Sequence, residues 1–300
     1  MRRALVVAVA LATAFAETAG ASPAVAASPQ TAAAPVADDP FAGAWAEEEL
    51  ERAVKGPLEA LDKGDITVAE QRVEQLLTAA ASEPAERVRL MTAWAIALMI
   101  HADKGDPLPW LRRAAAEART AWPADSRLRA MALSDYGTFE VEQLGAAASA
   151  EAEAALVEAL EINRARLGPG HVEALATSIA LGELRGQPGR TGGNPERIAE
   201  AARLFEVLLT ADPVTGEDDL APFFLDWTRM LIANGQPDAA CAVLDKLPAL
   251  EGRLKLNLRF IALRTGLALR DAGYARQAAS LISDEIPAPG KPDPRQQCSG

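Results

Sequence analysis

The chain is poor in the residue types from which catalytic and metal sites are usually built. Its 300 residues include two histidines, two cysteines and only 5% aromatic side chains. His101 and His171 are far apart in the sequence, at a helix end and in a turn, and two isolated histidines do not predict a metal cluster. No Gly-x-Ser-x-Gly motif occurs, and the glycine-rich residues 186–193 lack the spacing and the Lys-Ser/Thr of a phosphate-binding loop. The sequence therefore predicts a non-catalytic protein with no cofactor or metal site.

Excess positive charge and long apolar runs are also missing. The formal net charge is −12, which disfavours binding to nucleic acid or to anionic lipid. Beyond residue 26 no stretch reaches the roughly 18 apolar residues of a membrane-spanning helix, so we expect no membrane insertion after signal removal. The acidic balance favours solubility, with a basic partner in an acidic groove as the second interpretation.

The N-terminal residues resemble an export signal. Arg2 and Arg3 precede an uncharged apolar run over residues 4–16, and small residues follow. This order is typical of a signal peptide, with cleavage expected after Ala26 and, as second choice, after Ala21. We therefore predict a signal peptide over residues 1–26 and a periplasmic or secreted protein. An exported compartment permits a disulfide between Cys241 and Cys298, but we favour a buried, inert Cys241 beside a free Cys298.

Alanine dominates the apolar residues, which make up 49% of the chain. Alanine is the strongest helix former, and β-branched residues nowhere alternate as they do in strands, so the sequence predicts an all-α fold. Residues 27–43 read as a disordered linker, 44–286 as one helical repeat domain and 287–300 as a flexible tail. About 12 helices are expected, near 44–63, 66–81, 84–103, 108–121, 125–144, 147–167, 172–185, 195–210, 218–234, 238–249, 252–272 and 274–286.

Turn signals separate these helices. Pro84 and Pro195 follow residues that can cap a helix, namely Ser82-Glu83 and Asn194. Pro57 lies inside the first pattern and should kink or split it. Five glycines follow helical stretches, where left-handed backbone is often required: Gly64, Gly105, Gly168, Gly235 and Gly273.

A spacing recurs among the second helices of the expected pairs. In each of them a glycine is followed five residues later by an alanine: Ala69, Ala240 or Ala278. Four residues after the alanine comes a larger aliphatic residue: Val73, Leu244 or Ile282. Positions four residues apart share a helix face, so the alanine admits a neighbouring helix and the larger residue fills the space beside it. The alanines at 201, 240 and 278 are separated by about the length of one helical pair.

This pattern resembles the tetratricopeptide repeat. Ala201, Phe205 and Pro213 match that family's alanine, aromatic and proline positions, and Leu181-Gly182 and Trp94 match its first helix. Residues 150–171 resemble the longer repeat of kinesin light chains, which ends in a Leu-Gly-Pro-x-His turn. Residues 186–193 depart from the pattern and read as a flexible insertion. The resemblance implies a right-handed α-solenoid of antiparallel helix pairs that binds proteins and carries out no chemistry.

Two residue types are candidates for contacts with a partner. Five tryptophans either pack between helices, which we favour, or anchor a peptide: Trp45, Trp94, Trp110, Trp122 and Trp227. Three arginines either lie on a solvated helix face, which we favour, or bind carboxylates: Arg185, Arg229 and Arg259. The sequence alone assigns none of them to partner binding.

We therefore expect an interaction scaffold or adaptor of the bacterial periplasm or cell envelope, which binds a protein or peptide on the concave face of a helical solenoid. The alternatives are a cell-wall enzyme built on a helical superhelix and a self-assembling structural subunit. The Glu-Ser and Gly-Leu-Met-Gln stretches of lytic transglycosylases do not occur.

Overall fold

A computed structural model describes residues 47–101, 104–210, 220–250 and 256–282, with side chains from residue 54 onward. These residues are helical and contain no strand, which confirms the all-α prediction. The predicted signal peptide, linker and tail, and with them Trp45, Pro213 and Cys298, lie outside the described residues. None of the described helices is long and apolar enough to cross a membrane.

The chain divides into two compact units, residues 1–139 and 140–300. Helices α1 to α4 belong to the first unit, α5 contains the division, and α6 to α14 belong to the second. Their bounds are α1 Glu47–Asp62, α2 Ile66–Ala79, α3 Pro84–Ile100, α4 Leu108–Ala121, α5 Arg127–Leu144, α6 Ala150–Leu167, α7 Val172–Gly186, α8 Pro188–Thr191, α9 Pro195–Phe205, α10 Val207–Thr210, α11 Ala221–Ala233, α12 Pro237–Leu244, α13 Leu258–Asp271 and α14 Ala275–Ile282. Short 3₁₀ turns, Gly145–Ala147 and Leu247–Leu250, precede α6 and follow α12.

Local signals account for most of the boundaries. Asn194 caps α9, because its side chain accepts hydrogen bonds from the backbone N–H groups of Glu196 and Arg197. Gly64, Gly168, Gly235 and Gly273 have φ between 72° and 88°, as predicted for residues that end a helix.

Three of the local predictions are wrong. Gly105 does not adopt the left-handed backbone; it is small because an added Cβ would lie 2.9 Å from Leu98 Cδ2. Glu83 makes no side-chain cap at α3. The predicted helix over 195–210 breaks at Glu206 into α9 and α10.

The core of the first unit is built around buried aromatic rings. Trp94 on α3 is fully buried and meets Trp110 on α4 edge to face, with ring centroids 6.5 Å apart. Helix α3 packs against α1, α2 and α4. The Arg87 guanidinium on α3 binds Glu117 on α4 through two hydrogen bonds, of 2.5 and 3.1 Å. The hydrogen bond with this carboxylate raises the pKa of Arg87.

The second unit repeats one arrangement of helices. Helix α7 packs against α9 and α11, α11 packs against α12 and α13, and α13 packs against α14. The alanines at 201, 240 and 278 are all buried, which agrees with the close approach expected of them. Between α11 and α13, the hydroxyls of Thr228 and Thr265 share a buried hydrogen bond of 3.1 Å. Phe205 on α9 and Trp227 on α11 stack with centroids 6.0 Å apart.

Glycine permits the closest of these approaches. A Cβ on Gly182 of α7 would lie 2.6 Å from Cε2 of Phe205, and one on Gly266 of α13 would lie 2.8 Å from Cβ of Leu281. Both distances are shorter than van der Waals separation, so a larger residue would displace the Phe205 ring in one pair and Leu281 in the other. The close packing of these two pairs therefore depends on a glycine in the first helix.

We expect Gly182→Ala to lower the melting temperature. The methyl group would displace the fully buried Phe205 ring, and such overpacking costs about 1–3 kcal/mol, more than the roughly 1 kcal/mol gained in helix propensity. Gly56→Ala is the control, because apart from its chain neighbours a Cβ there would meet only the Arg72 side chain, at 3.8 Å. Since Pro57 follows, part of the gain in helix propensity is lost, and Gly56→Ala should change the melting temperature less than Gly182→Ala lowers it, in thermal unfolding followed by circular dichroism. A rise in melting temperature for both variants would contradict the close packing at Gly182.

Candidate functional site

Three of the five candidate tryptophans lie in the hydrophobic core. Trp94, Trp110 and Trp227 are each less than 10% exposed. Trp227 stacks on Phe205 and also on Phe224, whose centroid is 6.4 Å away. Trp122 follows the end of α4 and is partly exposed. The packing interpretation therefore holds for Trp94, Trp110 and Trp227, and none of these three rings is available to a partner.

Two of the three candidate arginines are already engaged. Arg185 on α7 binds Glu153 at 2.8 Å and Glu200 at 2.9 Å. Arg229 on α11 lies 3.7 Å from Asp226, one turn earlier on the same helix. These carboxylates would have to be displaced before either guanidinium could bind another one.

Arg259 differs from both. It is exposed near the start of α13 and makes no hydrogen bond or ion pair within the described part of the chain. Among the described residues, Arg259 is therefore the candidate arginine without a carboxylate partner.

The glycine-rich segment 186–193 is not the flexible insertion that the sequence suggested. Residues 188–191 form the helix α8, and Thr191 is 2% exposed. Asn234 at the end of α11 donates a hydrogen bond to the carbonyl of Gly186 at 2.5 Å and accepts one from the Thr191 hydroxyl at 2.8 Å. The segment is therefore tied to a helix that lies more than forty residues further along the chain.

Arg190 holds the other side of the same segment. Its guanidinium donates to Glu153 Oε2 at 2.9 Å and to the backbone carbonyl of Ala148. Because Glu153 also binds Arg185, one carboxylate on α6 connects α7 and α8. The sequence does not predict these hydrogen bonds. Four glycines in eight residues give no information about hydrogen-bond partners that are distant in the sequence.

The histidines have structural roles. Nδ1 of His171 accepts a hydrogen bond from the backbone N–H of Glu173 and so caps α7. His101 follows the end of α3, where Nε2 lies 3.8 Å from Asp62. In the described ranges no three His, Cys, Asp or Glu side chains come together as metal ligands would.

Cys241 is fully buried on α12 and is disulfide-bonded. The sequence has one other cysteine, Cys298. The interpretation of Cys241 as an inert thiol is therefore wrong. Burial alone does not distinguish a thiol from a half-cystine, and the spacing of two cysteines in a helical chain does not predict that they meet.

Two exposed large apolar side chains of the second unit lie together on α13. Phe260 is 43% exposed and Leu263 is 41% exposed, one helical turn apart. Arg259 adjoins Phe260 in sequence, and Arg264 adjoins Leu263. We call these four residues the α13 face. It combines unsatisfied positive charge with apolar area, which is the combination that protein-binding surfaces use.

We expect Arg190→Ala and Asn234→Ala each to loosen residues 186–193 specifically. Each variant removes hydrogen bonds that join the segment to another helix, and a loss of about 1.4 kcal/mol raises local opening tenfold. Hydrogen exchange read by mass spectrometry should show faster exchange there and unchanged protection in α13. Arg203→Ala is the control, since Arg203 is exposed and makes no such bond in the described chain. Unchanged exchange over 186–193 in both variants would show that the bonds do not hold the segment.

Comparison with known proteins adds no assignment. No protein-family model matches the chain, and no curated protein matches its sequence. The functional interpretation therefore depends on the contacts and charges described above.

Proposed function

We propose that this protein is a non-catalytic interaction scaffold of the tetratricopeptide type, exported to the bacterial periplasm or envelope. The observation that carries the proposal is the repeated helix arrangement of residues 172–282. There, each first helix packs against its own second helix and against the first helix of the next pair. Stacked helical pairs of this kind form extended surfaces that bind peptides or domains.

The small residues support the repeat interpretation. Gly182 opposes Phe205 across one pair. Gly266 opposes Ile282 across another, where an added Cβ would lie 2.9 Å from Cγ1 of Ile282. Phe205 and Ile282 each follow a buried alanine, Ala201 or Ala278, by four residues, so the same two positions recur in the two pairs.

The first helices supply the surface for a partner. Because α7 contacts α11 and α11 contacts α13, these three helices form a continuous row in the second unit. Arg229, Phe260 and Leu263 are exposed on this row. An extended peptide can follow such a row and touch several helices at once, which increases affinity without requiring a deep pocket.

The proposal predicts position-specific crosslinking. A photoreactive amino acid placed at Arg229 or Leu263 should give one saturable adduct of defined mass in intact cells. The matched positions are Arg203 on α9 and Ala242 on α12, which are exposed on second helices and should give none. Absence of an adduct at all four positions in cells that export the protein would contradict the scaffold proposal, and equal labelling at all four would contradict the first-helix surface. Fractionation of the same cells tests the proposed location.

A further inference from the structure

The outer side of α13 has a regular arrangement. At about 100° per residue, Phe260, Leu263 and Leu267 fall within about 60° of one another. Arg264 flanks this apolar strip on one side, and Arg259 and Arg270 flank it on the other. The opposite side of the helix is buried in the unit, through Ile261, Thr265 and Leu269, each 0% exposed. One helix therefore has a structural side and an exposed side with its own apolar strip and positive borders.

Residues 252–270 are basic, whereas the protein as a whole is acidic. No aspartate or glutamate occurs over residues 252–270, whereas the whole chain has a formal net charge of −12. The same stretch contains five basic residues: Arg253, Lys255, Arg259, Arg264 and Arg270.

Two of the three exposed arginines beside the apolar strip have no carboxylate partner among the described residues. Like Arg259, Arg264 makes no hydrogen bond or ion pair in the part of the chain that the structure describes. Arg270 binds the neighbouring Asp271 at 3.1 Å. Elsewhere in the unit, Arg185 and Arg190 have carboxylates within 2.9 Å, so pairing is readily available to arginines of this protein. A guanidinium left unpaired beside an exposed phenylalanine is ready to form a bidentate bond with a carboxylate.

We propose that the α13 face binds an acidic amphipathic segment of a partner protein. Carboxylates of that segment pair with Arg259 and Arg264, and its apolar side chains cover Phe260 and Leu263. This inference rests on the proposed function and deepens it, because it states the chemistry of the partner and the helix that receives it.

Charge complementarity selects this occupant over the others. A second copy of the chain would bring another acidic body of net charge −12 toward an acidic body, and only a locally apolar contact would favour it. A membrane rich in anionic lipid, or a long nucleic acid, would feel the charge of the whole protein as well as that of one helix. A short acidic segment meets the local positive charge alone.

The experiment measures binding of a synthetic peptide to the full chain by fluorescence anisotropy. The probe is a labelled helical peptide with leucine and phenylalanine on one side and glutamates along both borders. Its matched control has glutamine at every glutamate position. We expect saturable binding of the acidic probe, which weakens as salt is added, and at least about tenfold weaker binding of the glutamine peptide.

Variants locate the site. Arg259→Glu with Arg264→Glu should weaken binding of the acidic probe at least about tenfold, and Phe260→Ala should weaken it at all salt concentrations. Arg203→Glu with Arg276→Glu changes the net charge equally at exposed positions outside the α13 face and should leave binding unchanged. Circular dichroism and the melting temperature verify that each variant is folded.

Several results would overturn the inference. These are equal binding of the glutamine peptide, equal loss in the control pair, a dimer abolished by Phe260→Ala in sedimentation, or tighter binding to anionic vesicles than to the probe. In each case crosslinked adducts at Arg229 would still stand as support for the scaffold. Loss of those adducts together with probe binding would overturn both proposals.

Discussion

The structure depends on how closely neighbouring helices approach each other. An alanine-rich chain buries little apolar area per residue, so its core has to gain contact by proximity. Gly182 and Gly266 allow a second helix to lie where any Cβ would collide with it. Large rings, such as those of Phe205 and Trp227, then fill the space that small side chains leave between successive pairs. Small residues let the helices approach where they cross, and aromatic residues beside them fill the remaining space in the core.

What the sequence could predict follows from the range of the interactions involved. The helices and most of their ends depend on residues within four positions, such as the Asn194 cap or the left-handed backbone at Gly273, and these predictions are confirmed. The prediction for Gly105 is wrong because the Leu98 side chain leaves no room for a Cβ there, whereas the backbone angle of Gly105 does not require glycine. The prediction for residues 186–193 is wrong for the same reason. Arg190 donates to the carbonyl of Ala148, 42 residues away, and the carbonyl of Gly186 accepts from the Asn234 amide, 48 residues away.

The candidate surface was predictable only in part. Helical periodicity and the absence of acidic residues over 252–270 are both visible in the sequence, and together they point to a basic, amphipathic α13. The sequence does not show which arginines remain available to a partner, because Arg185 and Arg259 are both arginines on predicted helices. Arg185 is neutralised by Glu153 and Glu200, which come from two other helices, and only the packed structure brings them together.

A basic helix on an acidic protein has consequences for selectivity. At an ionic strength of about 0.1 M, charges more than about 10 Å apart are largely screened from one another. A short partner segment therefore responds to the arginines it touches, whereas a long polyanion also meets the rest of a protein whose net charge is −12. The apolar strip between the arginines adds a second requirement, because a highly charged segment without apolar side chains would leave Phe260 and Leu263 exposed to water. The partner that satisfies both conditions is acidic at its borders, apolar along its middle and short enough to stay on one helix.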